Sequence, residues 1–511
     1  MRKIKSIIFA LVAIAMVLTM VLPTFAYVPY NTYNYNFYGE TVGSPSGYVP
    51  DAFYLSEDLG VSTIHQPTDI YVSDKDEIYL LDLGGVNARG RLCIFDKNFK
   101  LISEFKSLKD IDGSEYFLKN PGGVTTDKNG FIYICDTDNR AVLKVKKDGQ
   151  IVMKYEQPGD DVFDESYTYS SYKIVIGING SAYVISRGCL DGILEFDIEG
   201  NFVRFFGAPK VQLSIGDYVE IYWRKIYRSF GGSGVDDIFV TFVPTEFENI
   251  DIDEKGFIFS TVIASESSED EASKLNFTGS NTLNPTSKST KKVSNSLSKN
   301  YGDLQTLGPN NDNNFVDIVV DDNGFFSLLD KKLSKIFEYD AEGNLVFVYG
   351  GDGQQVGTLE DPSAMAKLGD KTLVVDQTTC AITVYKLSDY GEALHEAVKD
   401  YNKGLYEQAG PKWEDVLLYN ANSDLAHVGI GKVYYLNGEY KAAMEEFRLA
   451  NDRENYSKSY ALYRENVIKS NFTLIAWVLV VIIVVFFVWN KFGKKLIASI
   501  KEKKNGGDIN G

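Results

Sequence analysis

Apolar residues in the middle of the chain come in short runs closed by polar turns, and one order of runs recurs through residues 66–387. That order is an apolar run, an Asp/Asn-Gly turn, a second run, a polar turn, a third run and another Gly turn. In the clearest copy Pro121-Gly122-Gly123-Val124 leads to Asp127-Lys128-Asn129-Gly130 and the run Phe131-Ile132-Tyr133-Ile134-Cys135. Asp136-Thr137-Asp138-Asn139-Arg140, the run 141–145 and Lys147-Asp148-Gly149-Gln150 complete it. Asn-Gly between apolar runs predicts a hairpin, because a type I′ turn needs positive φ at its central residues. The unit recurs around Asp253-Glu254-Lys255-Gly256 and Asp321-Asp322-Asn323-Gly324. The spacing from Gly130 to Gly149 equals that from Gly324 to Gly343, nineteen positions.

Six copies, beginning near Gln66, Asn120, Tyr172, Glu246, Asn314 and Glu360, predict a mainly β chain folded as a six-bladed β-propeller over 66–388. Radial repetition of four short antiparallel strands leaves only short, protected edges. Inserts at 208–240 and 264–313 break the register. In the first, Val219, Tyr222, Trp223, Ile226 and Phe230 fall at helical spacing. That helix either offers Trp223, Arg224 and Arg228 to a partner or packs over a propeller face. The second is rich in Ser, Thr, Asn and Lys and reads as a loop, with room for a short hairpin at 274–283. The aromatic-rich segment 27–65 either supplies a strand that closes the ring or forms a ligand-binding tail; closure is preferred because first and last blades must pair.

After residue 387 helical periodicity begins. Gly404-Leu405-Tyr406 with Ala409 and Trp413 is followed thirty-four positions on by Gly438-Glu439-Tyr440 with Ala443 and Phe447, which predicts helix pairs through 389–470. Residues 472–489 are apolar apart from Thr473, long enough to cross a bilayer core of about 30 Å with little tilt. Lys491, Lys494, Lys495, Lys501, Lys503 and Lys504 follow, so the positive-inside rule puts 491–511 in the cytoplasm and the span at 471–490. At the other end Arg2, Lys3 and Lys5 precede an apolar run at 7–22 and Ala26, which fits a signal peptide at 1–26 cleaved after Ala26. An uncleaved anchor is the alternative, and both readings export the body of a single-pass membrane protein.

The stretch 121–145 resembles an NHL repeat, whose pattern runs Pro, Gly-Val, Asp-x-x-Gly, an apolar strand and Asp-x-x-Asn-Arg. The resemblance covers about 320 residues and is sharp only in the second unit. Elsewhere Ser186-Arg187-Gly188 and Ser260-Thr261-Val262 replace the Asp-centred turn. The helices at 392–452 resemble about two tetratricopeptide (TPR) units. That resemblance implies a docking role just above the membrane, with Tyr406, Trp413 and Tyr440 as partner contacts.

Residues 27–490 carry 43 basic and 68 acidic residues, so a phosphate backbone finds little there to neutralise it and nucleic acid is excluded as a partner. The three histidines, His65, His395 and His427, lie outside any nucleophile or metal motif, and no Walker, GxGxxG or GxSxG stretch occurs in context. No catalytic residue and no metal ligand is assigned. Cys93, Cys135, Cys189 and Cys380 lack CxxC spacing; they read as buried thiols, with one inter-strand disulfide as the alternative. Asp82, Asp136, Asp330 and Asp376 each follow the second strand of a unit. They either form a ring of oxygens for a ligand or a hard cation such as Ca²⁺, or accept backbone N–H bonds in turns. The 33 Tyr and 31 Phe leave carbohydrate stacking open, although strands use most such rings for packing. These features favour extracytoplasmic recognition or scaffolding, with a permease or envelope protein as partner and no resident cofactor. The rival reading is a metal-dependent lactonase or sugar hydrolase of the gluconolactonase-like propeller type.

Overall fold

The computed structural model describes residues 28–36, 38–84, 89–159, 167–207, 246–262, 271–283, 301–304 and 313–505. They divide into two compact units, 1–402 and 403–511. The first is a six-bladed β-propeller. Its innermost strands, Pro67–Val72, Pro121–Thr126, Ser171–Ile176, Phe247–Ile252, Phe315–Val320 and Pro362–Leu368, begin within two residues of the six repeat starts. Each packs beside the next, and the sixth packs beside the first.

Blades stack face to face, so second strands are covered on both sides. Ile78–Asp82, Ile132–Asp136, Ile258–Val262 and Phe326–Asp330 are buried at every position, which is why they show no alternation of apolar and polar residues. In the first-to-second turns of blades 2 and 5 only the glycine has positive φ, Gly130 at 83° and Gly324 at 87°; in blade 1 Asp76 takes that place at 58°. These are three-residue loops, not the two-residue type I′ turns expected. Asp127 Oδ1 accepts from the N–H of Asn129 and of Phe131, each at 2.9 Å, so the aspartate holds the turn and only one residue needs the left-handed region. The third strand of blade 4, Ala272–Leu275, lies inside the stretch read as the insert 264–313. Its Ser- and Glu-rich surroundings hid an element only four residues long.

The outer strand of blade 6 comes from the other end of the chain. Tyr48–Tyr54 pairs antiparallel with Ala381–Leu387, so the last blade carries three late strands and one early one. A helix, α1 (Asp389–Asn402), follows and belongs to the propeller unit rather than to a helical neck. Its His395 is stacked 4.1 Å from the Phe325 ring and donates through Nε2 to Glu338 Oε1 at 2.6 Å. Glu338, wholly buried in blade 5, also accepts from Tyr48 Oη at 3.0 Å, Ser327 Oγ at 3.1 Å and Lys367 Nζ at 2.6 Å. Lys367 Nζ is shared with Tyr48 Oη and Thr372 Oγ1, each at 3.0 Å. Burial raises the Glu338 carboxyl, but Lys367 and His395 outweigh it and hold the group well below the usual carboxylate range.

The second unit is a run of helices, α2 (Tyr406–Tyr419), α3 (Asp424–Leu436), α4 (Tyr440–Leu449) and α5 (Arg453–Ser470), with α3 packed on α2, α4 on α3 and α5 on α4. Gly429 and Gly431 set the spacing. A Cβ on Gly429 would come within 2.4 Å of the Trp413 ring, and one on Gly431 within 2.7 Å of Phe447. Then comes α6 (Phe472–Val488), a π-turn at Trp489–Gly493 and α7 (Lys494–Asn505). The continuous helix Phe472–Lys501 is long and apolar enough to cross a membrane, and none of its apolar window is buried. The four cysteines are unpaired, three buried and Cys380 half-buried. Residues 1–26 lie outside the described residues.

Removing Glu338 leaves Lys367 as an uncompensated buried cation, so Glu338→Ala should cost about 3–5 kcal/mol. Denaturant unfolding of the detergent-solubilised full chain, followed by tyrosine near-UV circular dichroism, checks this. A loss below about 1 kcal/mol, the scale of a single neutral hydrogen bond, would show that the node is dispensable.

Candidate functional site

Because strands alternate direction, the second-to-third turns and the blade-to-blade crossings share one face of the propeller, here called the crossover face. Asp82, Asp136, Asp330 and Asp376 sit there, essentially without exposed surface. Asp82 Oδ1 accepts from the N–H of His65 at 3.0 Å and of Gln66 at 2.8 Å, while Oδ2 takes Arg91 Nε at 2.9 Å. Asp136 accepts from Lys119 N and Asn139 Nδ2, each at 2.7 Å. Asp330 accepts from the N–H of Lys332 at 2.9 Å and Leu333 at 3.0 Å. Asp376 takes four backbone N–H groups, those of Glu360, Asp361, Thr378 and Thr379, at 2.7–2.9 Å. Each carboxylate therefore ties a blade's entry to its own crossover turn. In blade 3 Ser186 does the same work with its hydroxyl, accepting from Ser170 N at 2.8 Å. Burial pushes Asp136 up to about 6. The four are not gathered: among the described residues no group of three or more His, Cys, Asp or Glu side chains is placed to hold a metal.

A second set of charged groups lines the axis, and the repeat pattern conceals it. Every inner strand carries the same irregularity two residues after its start, between Pro67 and Asp69, Pro121 and Gly123, Ser171 and Lys173, Phe247 and Asn249, Phe315 and Asp317, and Pro362 and Ala364. The bulge turns the second residue of each pair to an equivalent place around the axis. There Lys173 Nζ reaches across blade 2 to Asp69 Oδ1 at 2.6 Å, and Gly123 makes the room: a Cβ there would lie 3.1 Å from Lys173 Cα. Asn249 Nδ2 donates to Asp317 Oδ1 at 2.6 Å. The remaining oxygens latch neighbouring strands, Asp69 Oδ2 accepting from Val124 N at 2.7 Å and Asp317 Oδ2 from Met365 N at 2.5 Å. One turn of strand further on, half-buried Asp251 accepts from Val320 N at 2.7 Å. Asp69 and Asp317 thus share the influence of one ammonium, that of Lys173. Burial pushes Asp317 up to about 8, opposed by Lys173 and reinforced by Asp69, and pushes Asp251 up to about 7. Sequence reasoning overlooked this ring. Its one legible signal is a polar residue or glycine third in five of the six inner strands, with Ala364 in the sixth.

In the helical unit Trp413 is 2% exposed and packs on Gly429, which makes it a core residue and not a partner contact. Sequence spacing places a bulky aromatic there but cannot say which face of its helix is covered. Tyr406 is half-buried on α2. Tyr440 lies edge-on to Tyr435 and lines a groove of about 990 Å³ between α4 and α5, with Lys441, Glu445, Tyr463, Val467 and Lys469. Trp223, Arg224 and Arg228 lie outside the described residues.

No family model matches the chain. Among solved structures it is similar to virginiamycin B lyase from Staphylococcus aureus, at 11% identity over 66% of this chain and 100% of that one, with a TM-score of 0.39. A protein from Lactobacillus plantarum matches at 15% identity over 64% and 82% of the two chains, TM-score 0.36. A structural-genomics protein of unknown function from Bacteroides thetaiotaomicron matches at 12% over 70% and 76%, TM-score 0.39.

Two measurements separate roles for these carboxylates. If the crossover aspartates hold turns, Asp376→Ala strands buried N–H groups and should destabilise the chain by roughly 3 kcal/mol or more, with no response to calcium. A melting temperature of the unaltered chain that rises with added calcium would instead favour a cation ring.

The axial pair sets a pH dependence. Asp251 and Asp317 remain protonated in the fold to about pH 7 and 8, whereas unfolding returns them to the ordinary range near 4. The folded state binds more protons across that interval, so stability is greatest at its acid end and falls as pH rises toward 8. The urea midpoint should drop from pH 5 to pH 8, with a flatter profile in Asp317→Asn. A midpoint that rises over this interval would contradict the assignment.

Proposed function

We propose that the chain is a membrane-anchored binding and scaffold protein. Residues 472–489 span the bilayer, the propeller stands on the extracytoplasmic side and the Lys-rich tail lies in the cytoplasm. The TPR-like helices dock a membrane-embedded protein, such as a transport permease, while the NHL-like propeller receives a ligand or a second protein.

The observation that carries this reading is the groove between α4 and α5. It runs along α5 to Ser470 and stops two residues before the apolar α6 begins at Phe472. Whatever occupies it sits at the bilayer surface, where a protein embedded in the same membrane is the available partner. Its wall suits a protein contact: Tyr440, Tyr463 and the 40%-exposed Val467 supply apolar surface, and Lys441, Glu445 and Lys469 supply a charged rim. The carboxylates of the propeller, by contrast, are taken up by backbone N–H groups and by Arg, Lys and Asn side chains, which suits a framework for binding better than a reactive centre.

A photoactivatable phenylalanine analogue at Val467 tests the docking role in native membranes. The expected result is one discrete adduct with an integral membrane protein, absent when the probe replaces the exposed Ile111 of the propeller unit and lost with Tyr463→Ala in the Val467 probe strain. Equal labelling from both positions, or none from Val467, would overturn it.

A further inference from the structure

The helix does not end where the apolar stretch does. After α6 the backbone widens into a π-turn at Trp489–Gly493 and resumes as α7. At Gly493 a Cβ would come within 2.9 Å of the Trp489 ring, so the indole lies over a residue with no side chain. A π-turn next to a glycine is a place where a helix changes direction.

From the π-turn to Lys501 the segment is two-faced. At 100° per residue Phe492, Leu496 and Ile500 fall close together with Ile497 beside them, while Lys491, Lys494, Lys495 and Lys501 fall on the other side. All four apolar residues are more than half exposed: Phe492 60%, Leu496 65%, Ile497 53% and Ile500 57%. Continuing straight through hydrocarbon would bury four ammonium groups without partners, which is costly. Leaving the membrane entirely would put the apolar line in water. Lying in the headgroup plane satisfies both faces.

We infer that α7 is an interfacial helix that binds anionic phospholipid headgroups in the leaflet where α6 ends. The occupant is set by charge, since residues 491–505 hold six lysines and one acidic residue, Glu502. It is set also by continuity, because the apolar line starts where the membrane-crossing helix leaves off. Each lysine near such a surface adds to the attraction, and the effect fades within a Debye length. The inference rests on the proposed span at 472–489 and adds which lipid the tail recognises.

Hydrogen–deuterium exchange on the full chain in nanodiscs tests it. Discs of phosphatidylcholine alone are compared with discs containing about a third phosphatidylglycerol. Amides across 494–501 should exchange at least about tenfold more slowly in the anionic discs. The gain should vanish in Lys494→Gln/Lys495→Gln/Lys501→Gln and in high salt. Protected amides at 472–488 with identical exchange of 494–501 in the two lipids, or a triple variant that keeps the gain, would overturn the inference alone. Unprotected amides at 472–488 would overturn the span on which it rests.

Discussion

Glu338 is a carboxylate without access to water, and a buried charge is tolerable only where partners replace its hydration. Its partners come from four places in the chain. Tyr48 belongs to the closing strand, Ser327 to its own blade, Lys367 to the innermost strand of the last blade and His395 to the helix that follows it. A ring of blades has no covalent reason to stay shut, so its weakest join is between first and last. Here that join is the pairing of Tyr48–Tyr54 with Ala381–Leu387, and Glu338 gathers both sides of it into one hydrogen-bonded node. The stacking of His395 on Phe325 extends the node to α1, so the segment leading out of the propeller is seated by the same charge.

Two further sets of carboxylates show how one residue type serves different ends in a repeated fold. On the crossover face Asp82, Asp136, Asp330 and Asp376 satisfy backbone donors that turns leave without strand partners. Around the axis Asp69 and Asp317 satisfy donors on the adjacent blade and meet Lys173 or Asn249 with their other oxygen. The first set locks each blade to its own crossing; the second locks blade to blade. Glycine and alanine occupy the axial place in blades 2 and 6. Gly123 gives Lys173 the space to cross, and the N–H of Met365, next to Ala364, is the donor that Asp317 receives.

The helical unit follows the same economy of space. Gly429 and Gly431 let Trp413 and Phe447 lie against the backbone of α3, and the aromatics at those two equivalent places become the interior of the helix pairs. The α4–α5 groove and the amphipathic α7 remain at the surface, on either side of an apolar helix. Both are chemically suited to the boundary of a bilayer, one to a protein and the other to lipid.

Much of this architecture was legible in the one-dimensional pattern. Six blade starts and the apolar helix follow from local periodicity and turn chemistry, which act between residues close in the chain. Blade 4 was legible only in part, because Ala272–Leu275 is too short to show a period amid polar residues. The roles of charged residues were not legible. Asp82 and Asp69 look alike as letters; one meets His65 and Gln66 across a turn, and the other meets Lys173 from a blade two positions away. Nothing local distinguishes Trp413 from an exposed aromatic either. Periodicity is a property of neighbours in sequence and survives without the fold, whereas the partner of a buried charge is chosen by which strands the ring brings together.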